Sequence, residues 1–107
     1  MNRGEVWWVR FGPSVGCEIQ KQRPAVIISN DSSNRALNRL QVVPITSNVD
    51  RIYPSEALIT LNGQPRKAMA DQLTTVSKVR VGDREGVIEV HEMERLEQAI
   101  KTQLGMQ

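Results

Sequence analysis

The sequence predicts one mainly β domain with a single helix at its C-terminal end. Between residues 5 and 89, short segments of strand-forming residues alternate with turn-forming residues. From Val90 onward, apolar residues instead recur every three or four positions, which is the period of an amphipathic helix. This order favours a small, partly open barrel of mainly antiparallel strands with the helix packed against it. A chain of 107 residues supports one such core, so residues 1–107 are expected to form a single domain.

The first predicted strand is Glu5–Phe11, which is rich in β-branched and aromatic residues. Because side chains alternate between the two faces of a strand, Trp7 and Trp8 are expected on opposite faces. One tryptophan is expected in the core, and the other is left open between the core and a subunit interface. Turn-forming residues from Gly12 then begin a polar loop that runs to Gln22.

The second predicted strand is Pro24–Ser29, whose apolar run Ala25–Ile28 is typical of a buried central strand. Pro24 fits the first residue of a strand, where its missing N–H costs least. Arg23 is pushed towards an extended backbone by the proline that follows it. The sequence therefore places a fixed cation where a polar loop meets a rigid strand, and Arg23 becomes the first candidate for a functional site.

The middle of the chain contains a third strand between two loops. The segment Asn30–Asn38 is rich in turn and cap formers, with room for one helical turn. The strand Leu40–Ile45 follows, and Pro44 within it indicates an edge position or a bulge. Three small polar residues at 46–48 end this strand, and Val49–Pro54 is expected to be a mobile linker.

A hairpin is predicted next. The strand Glu56–Leu61 leads into Asn62-Gly63, a strong signal for a two-residue turn in which both residues have positive φ. The returning strand is expected to begin near Lys67 and to run to Val76. The polar pair Asp71-Gln72 interrupts its apolar pattern, and such interruptions often mark functional edges.

The C-terminal part is predicted to contain a turn at Gly82-Asp83, a short strand at Gly86–Glu89 and the helix. Glu89 is a weak N-cap compared with Ser or Asp, whereas Gly105 fits the C-cap. The apolar residues expected on one face of this helix are Val90, Met93, Leu96, Ile100 and Leu104.

Composition excludes several classes of protein. The net charge of +2 permits an anionic partner without requiring one. A lone cysteine, Cys17, excludes an internal disulfide or a cysteine-based metal cluster, and the only histidine, His91, makes a histidine-based triad untenable. The sequence contains no phosphate-binding loop, dinucleotide fingerprint or zinc spacing, no secretory signal and no apolar run long enough for a membrane helix. A cytoplasmic protein without metal or cofactor is expected.

An ordered set of motifs resembles the MazF/PemK-like (Kid-like) toxin endoribonucleases of type II toxin–antitoxin systems. The resemblance covers nearly the whole chain and ends in the helical segment at 92–105. Its motifs are Arg3-Gly4-Glu5-Val6-Trp7, Gly12-Pro13, Val15-Gly16-Cys17-Glu18, Lys21-Gln22-Arg23-Pro24, Val26-Ile27-Ile28-Ser29-Asn30-Asp31, Pro44-Ile45-Thr46-Ser47 and Asp71-Gln72-Leu73-Thr74-Thr75-Val76 with Lys78.

The resemblance implies the fold, activity and partners of that family. The implied fold is the plasmid-maintenance toxin fold, a small SH3-like barrel that forms a homodimer. The implied activity is sequence-specific, metal-independent cleavage of single-stranded RNA, such as mRNA, to 2′,3′-cyclic phosphate and 5′-hydroxyl ends, which inhibits translation and growth. The implied protein partner is a MazE-like antitoxin whose acidic, extended C-terminal segment covers the RNA groove.

The resemblance also implies the site residues. The family's catalytic arginine and threonine correspond to Arg23 and Thr46. Other functional positions of the family correspond to Cys17 and to the Asp71-Gln72 pair. With them, the full set of expected substrate-binding residues is Cys17, Glu18, Gln20, Lys21, Ser47, Asp71, Gln72 and Thr74. Three positions depart from the family's usual residues, because Ser is common at Cys17, Arg at Thr74 and Asp at Ser77. The loss of a cation at Thr74 is expected to alter sequence preference while leaving the catalytic pair intact.

The chemistry of RNA cleavage agrees with these residue types. RNA supplies its own nucleophile, the 2′-hydroxyl, so the protein must position the strand and stabilise charge on the phosphorane-like transition state. A guanidinium can bind two phosphate oxygens at once, which suits Arg23 to that role. Thr46 can donate one further hydrogen bond to a non-bridging oxygen. Unpaired bases can be read on their edges, which suits the polar residues of the first loop.

Two alternatives remain open from the sequence. One is a non-enzymatic toxin on the same scaffold, similar to the CcdB family of gyrase poisons, which would act through its C-terminal helix. The presence of both Arg23 and Thr46 argues against it. The other is an RNA-binding or antitoxin-buffering module that has lost activity, which the departures at Thr74 and Ser77 suggest.

Overall fold

The computed structural model describes residues 1–12 and 22–107, which form seven strands, two α-helices and two short 3₁₀ turns. Their order along the chain is β1 (Glu5–Arg10), β2 (Gln22–Ile27), α1 (Asp31–Ala36), β3 (Arg39–Thr46), β4 (Glu56–Leu61), β5 (Gln64–Met69), a 3₁₀ turn (Ala70–Gln72), β6 (Thr74–Ser77), a second 3₁₀ turn (Lys78–Arg80), β7 (Val81–Val87) and α2 (Val90–Leu104).

The strands form one curled antiparallel sheet in the order β4-β5-β3-β2-β1-β7, and β6 also pairs with β3. One core cluster lies between one face of the sheet and α2, where Leu96 and Ala99 are buried against Val26, Val43 and other sheet residues. A second cluster covers the opposite face. The predicted mainly β, half-open barrel with a C-terminal helix is therefore confirmed.

The two tryptophans lie on opposite faces of β1, as the alternation predicts. Trp7 packs against the second core cluster together with Phe11. Trp8 faces the other side, where it is half-buried beside Pro24, its partner on β2. One tryptophan thus contributes to a core, and the other borders a cavity that is described below.

The expected positions of both prolines in β2 and β3 were wrong. Pro24 is the third residue of β2 rather than its first. Pro44 is buried inside the central strand β3 rather than at an edge. On the side away from β2, β3 pairs with β6 through residues 39–42 and with β5 through residues 45–46. Pro44 lies between these two pairings, where its missing N–H interrupts neither ladder.

The strand predicted from Lys67 to Val76 is two strands. The hairpin turn is confirmed, since Asn62 and Gly63 have φ angles of 52° and 77°, but β5 begins directly after it, at Gln64. The 3₁₀ turn that contains Asp71 and Gln72 then ends β5 and reorients the chain into β6. The polar interruption therefore marks a turn between strands. Gly82-Asp83, predicted as a turn, instead lies inside β7, because the turn occurs earlier, at Lys78–Arg80.

The helices differ from their predictions mainly at their ends. α1 is longer than one turn, and its N-cap Asn30 accepts a hydrogen bond from the N–H of Ser33 at 2.8 Å. α2 ends at Gly105 in the left-handed conformation, as predicted. Of its expected apolar face, Val90 and Leu104 are exposed (78% and 54%), because the helix ends extend beyond the sheet.

The start of α2 is better capped than the sequence indicated. Glu92 in the first turn is buried, and its Oε1 accepts a hydrogen bond from the N–H of Glu89 at 3.2 Å. Its Oε2 accepts another from the N–H of Thr60 on β4, at 2.6 Å. This carboxylate therefore caps the helix and also joins it to the sheet.

The predicted linker Val49–Pro54 has no regular structure but is anchored at its C-terminal end. The Nζ atom of Lys67, a buried residue of β5, donates to the carbonyl of Arg51 at 2.9 Å and to Oε1 of Glu56 at 3.0 Å. The same Glu56 oxygen accepts a hydrogen bond from the N–H of Tyr53 at 2.9 Å. One buried ion pair thus holds the segment that follows Thr46.

Two carboxylates near the N-terminus have shifted pKa values. The pKa of Asp31 is lowered, chiefly because its Oδ1 accepts a hydrogen bond from the N–H of Arg3 at 2.7 Å. For Glu5, partial burial is the largest influence and raises the pKa, but hydrogen bonds from Asn2 and Trp7 and nearby positive charges outweigh it and lower the pKa overall. Both carboxylates therefore favour the ionised form in the folded protein.

Candidate functional site

The functional site centres on the place where β2 begins and β3 ends. In the antiparallel β2–β3 pair, Ala25 lies opposite Pro44. Continuing this register by two residues brings Arg23 opposite Thr46, with both side chains on the same face of the sheet. Two polar residues that are distant in the sequence thus become neighbours because the two strands are antiparallel.

Arg23 and Thr46 line one cavity of about 520 Å³. Its walls are the ends of β2 and β3, the β4–β5 hairpin and the middle of β7. The remaining residues that line it are Trp8, Gln22, Pro24, Ile45, Ser47, Leu61, Asn62, Gln64, Arg66 and Glu85. Two of the lining residues, Arg23 and Arg66, are arginines, a residue type suited to binding anionic groups.

Arg23 has a fixed backbone and an incompletely bonded side chain. Its strand pairs with β1, where Val9 is its partner, so the backbone is fixed on a central strand. The Nε atom is buried and has no hydrogen-bond partner within the described part of the chain. A buried donor without a partner is costly to the folded protein, and this unsatisfied Nε marks Arg23 as a candidate for a role beyond folding.

Thr46 presents its hydroxyl with a defined polarity. Its Oγ1 accepts a hydrogen bond from the N–H of Asn48 at 3.3 Å. Because that bond uses a lone pair, the hydroxyl hydrogen remains available for donation. Ser47, the next residue, is exposed at the same rim of the cavity. This segment is backed by β5, where Lys67 is the partner of Thr46.

The other predicted site residues lie elsewhere or outside the described residues. Asp71 and Gln72 are in the 3₁₀ turn beside β3 and do not line the cavity; Asp71 is exposed, and Gln72 donates to the sulfur of Met69 at 3.7 Å. Thr74 is paired with Val42, four residues along β3 from Thr46, or about 13 Å. The first-loop residues Cys17, Glu18, Gln20 and Lys21 lie outside the described residues.

Sequence reasoning missed the far wall of the cavity. Trp8, Asn62, Arg66 and Glu85 come from β1, the hairpin and β7, and they meet only because the sheet curls. The indole N–H of Trp8 donates to Oε2 of Glu85 at 2.7 Å. The Asn62-Gly63 turn was a detectable signal for a hairpin, but no pattern in the sequence indicated that this turn borders Arg23.

The cavity residues are not arranged to ligate a metal ion. Within residues 1–12 and 22–107, no three His, Cys, Asp or Glu side chains cluster as metal ligands do. His91 lies at the start of α2 beside Glu89, with 3.2 Å between Nδ1 and Oε2, and does not line the cavity. None of the described helices is long and apolar enough to cross a membrane.

Comparison with known proteins identifies relatives across almost the whole chain. The family model of the PemK-like, MazF-like toxins of type II toxin–antitoxin systems matches residues 2–104. Endoribonuclease MazF9 of Mycobacterium tuberculosis is 36% identical over 115 residues, which span 99% of this chain and 98% of that protein. Endoribonuclease toxin MazF of Escherichia coli K12 is 30% identical over 105 residues, which span 95% of this chain and 92% of that protein.

Solved structures share this fold. A solved structure of a mycobacterial endoribonuclease in complex with its cognate antitoxin superposes with a TM-score of 0.84. The match covers 100% of this chain and 97% of that chain, at 24% sequence identity. At this level of identity, the similarity establishes a common fold.

Proposed function

This chain belongs to the PemK-like, MazF-like toxins of type II toxin–antitoxin systems and is a toxin endoribonuclease, and we propose that it cleaves single-stranded RNA at the Arg23–Thr46 cavity without a metal ion. The observation that carries the proposal is the position of Arg23. Its guanidinium lies on a rigid central strand, opposite a hydroxyl donor, and has a buried Nε with no partner within the described residues.

In the proposed reaction, the substrate provides the nucleophile. The oxygen of a ribose 2′-hydroxyl attacks the adjacent phosphorus, and the bond from phosphorus to the 5′-oxygen of the next nucleotide breaks. The hydroxyl proton is lost and the departing oxygen gains one, so the products carry a 2′,3′-cyclic phosphate and a 5′-hydroxyl. The phosphoryl group carries additional negative charge in the transition state, and this charge is what the protein must stabilise.

Arg23 and Thr46 have complementary roles in this reaction. Because arginine keeps its proton in proteins, Arg23 stabilises charge and offers paired N–H donors to the non-bridging oxygens. Thr46, on the neighbouring strand β3, donates its hydroxyl hydrogen to the same phosphoryl group, because its oxygen already accepts a bond from Asn48. Both groups are positioned by the sheet before the RNA binds, so little reorganisation is needed when charge develops.

Base recognition is proposed for the polar groups around this pair. We retain Cys17, Glu18, Gln20 and Lys21 of the first loop, and Ser47 at the cavity rim, as substrate-binding residues. Asp71, Gln72 and Thr74 lie off this cavity, so their proposed contacts are with nucleotides farther along the strand. Single-stranded RNA suits this arrangement because its bases can turn outward and be read individually.

Structural relatives that were solved as toxin–antitoxin complexes support an antitoxin as the protein partner. We propose that an acidic, extended MazE-like segment of the antitoxin covers the cavity, since carboxylates would pair with the same guanidinium groups that bind phosphate. A homodimer is proposed as well, and cytoplasmic mRNA is the proposed substrate. Light scattering at micromolar concentration tests the dimer, and a monomer there would contradict it.

The test of function uses purified protein and a mixed pool of RNA in EDTA. We expect discrete cleavage whose products carry 5′-hydroxyl ends that a polynucleotide kinase labels without prior phosphatase treatment. Arg23→Ala and Thr46→Val should each reduce the cleavage rate by roughly 10²- to 10³-fold, the usual cost of losing one donor to a developing oxyanion.

Arg35→Ala is the matched control, because it removes an exposed arginine of α1 that does not line the cavity. It should cleave at the wild-type rate. Cleavage that requires a divalent metal, or that is as fast in Arg23→Ala as in Arg35→Ala, would contradict the proposal.

A further inference from the structure

Trp8 lies at the junction of two cavities. It lines the 520 Å³ cavity that holds Arg23 and Thr46, and it also lines a second cavity of about 430 Å³. Gln22 is the other residue that borders both. The second cavity contains two cations, Arg10 and Arg80, and one acidic residue, Asp83. A single-stranded RNA that leaves the Arg23 cavity past Trp8 would therefore enter a second cavity in which positive charges outnumber negative ones.

The orientation of the Trp8 ring is fixed by its hydrogen bond to Glu85. The indole N–H donates to Oε2 of Glu85 at 2.7 Å, and the other carboxylate oxygen accepts a hydrogen bond from Nδ2 of Asn62 at 3.1 Å. The same Nδ2 also lies 3.3 Å from the Glu85 carbonyl oxygen. Asn62 itself is held by the hairpin turn, where its φ is 52°. The Trp8 indole on β1 is therefore oriented by groups from β7 and from the hairpin turn.

A carboxylate is an unexpected group beside a phosphate-binding arginine, because it repels the negatively charged backbone of RNA. Both carboxylate oxygens of Glu85 accept hydrogen bonds from protein donors, so both are already occupied by groups of the cavity wall. This arrangement indicates that Glu85 orients Trp8 and does not itself bind the phosphate. A half-buried indole held in this way provides a rigid aromatic surface, which proteins use to stack unpaired bases.

We propose that Trp8 is the stacking platform for a nucleobase next to the scissile phosphate, and that Glu85 is the residue that positions it. This inference rests on the proposed function, because it assigns a base-binding role within the same RNA-cleaving cavity. Stacking accepts any base, so Trp8 contributes affinity and alignment while the polar residues contribute the choice of sequence.

The two tryptophans provide a matched pair for testing the platform. Trp7→Phe leaves Trp8 as the only fluorophore of its kind, and Trp8→Phe leaves Trp7, which packs against the second core cluster on the other face of the sheet. Each variant is titrated with an RNA oligomer of the cleaved sequence that carries a 2′-deoxy nucleotide at the attacking position. We expect the RNA to quench fluorescence in Trp7→Phe and to leave Trp8→Phe unchanged. Quenching in Trp8→Phe alone would overturn the platform.

Kinetics with abasic substrates identify the stacked base. Trp8→Ala should lower kcat/KM by roughly 5- to 150-fold on intact RNA, the range seen when an aromatic platform for one base is removed. The same variant should cause no further loss when the nucleotide on one side of the cleaved bond is abasic. An equal loss on intact RNA and on both abasic substrates would overturn the proposal, because the effect would then not depend on a base.

The positioning role of Glu85 has its own readout. Glu85→Gln keeps the shape but cannot accept both hydrogen bonds equally well, so it should raise KM and reduce the RNA quenching of Trp8 in the Trp7→Phe background, with kcat unchanged. An unchanged KM and undiminished quenching would remove Glu85 from the proposal.

These results separate the platform from the proposed function. Absence of quenching in Trp7→Phe, together with cleavage that is lost in Arg23→Ala, would overturn the platform and leave the proposed function in place. Absence of cleavage by the wild-type protein would overturn the proposed function, and the platform with it.

Discussion

The buried ion pair between Lys67 and Glu56 should be one of the strongest single contributions to stability in this domain. The side chains are only 11% and 9% exposed, with 3.0 Å between Nζ and Oε1. Lys67→Met removes the cation but retains the aliphatic volume, which leaves the Glu56 carboxylate buried with the N–H of Tyr53 as its remaining described partner. Removing one member of a buried pair typically costs about 3–5 kcal/mol, because the other charge loses its compensation.

The magnitude can be separated into its parts with a double-mutant cycle. Glu56→Gln keeps an acceptor for Tyr53 and leaves Lys67 bonded to the carbonyl of Arg51, so its cost should be smaller, about 1–3 kcal/mol. The double variant contains no unpaired buried charge and should be more stable than the sum of the two single costs implies. A coupling free energy of at least about 1 kcal/mol is expected for residues in direct contact.

Urea unfolding at one fixed protein concentration measures these costs, since the free energy depends linearly on denaturant. Lys67→Arg is the control for charge, and it should lie closer to wild type than Lys67→Met. The reasoning would be refuted if Lys67→Met lost less than about 1 kcal/mol or if the two single costs were additive. Either result would mean that water screens the pair despite its burial.

Two further predictions concern the helix start and the N-terminal carboxylates. Glu92→Ala removes the carboxylate that accepts hydrogen bonds from the N–H groups of Thr60 and Glu89, so it should lower the free energy of unfolding by about 1.5–3 kcal/mol. The melting temperature should fall by several degrees, and a change within about one degree would contradict the capping role. The pKa values of Glu5 and Asp31 are lowered from 4.5 and 3.8, so their contribution to stability is present above those values and lost as the pH falls below them. Between pH 5 and pH 3, a Glu5→Gln, Asp31→Asn variant should therefore lose less unfolding free energy than wild type, and parallel losses would contradict this assignment.

Much of the fold could be predicted because its signals are local. The strand Glu56–Leu61, the turn at Asn62-Gly63 and the helix that ends at Gly105 depend on the preferences of neighbouring residues. The errors arose where long-range pairing decided the outcome. Pro44 is tolerated inside the central strand β3 because β6 pairs with the residues before it and β5 pairs with the residues after it. No property of the local sequence indicates which strands those are.

The same distinction applies to the functional site. The motifs around Arg23 and Thr46 were sufficient to identify the family, which the comparisons establish, and to select the two residues proposed for catalysis. The role of each in this chain stays a prediction until it is measured. Asp71 and Gln72 were expected at a functional edge because they interrupt a strand pattern, and the structure places them in a 3₁₀ turn that does not line the cavity.

By itself, the sequence determined the class of fold, the family and the cation at the start of a strand, because these depend on residue type and on short-range order. Only the tertiary structure decided that Trp8, Asn62 and Glu85 border the same cavity as Arg23. The physical reason is that a curled antiparallel sheet brings together strands from both ends of the chain. Side chains that are 77 residues apart, Trp8 and Glu85, can then share a hydrogen bond.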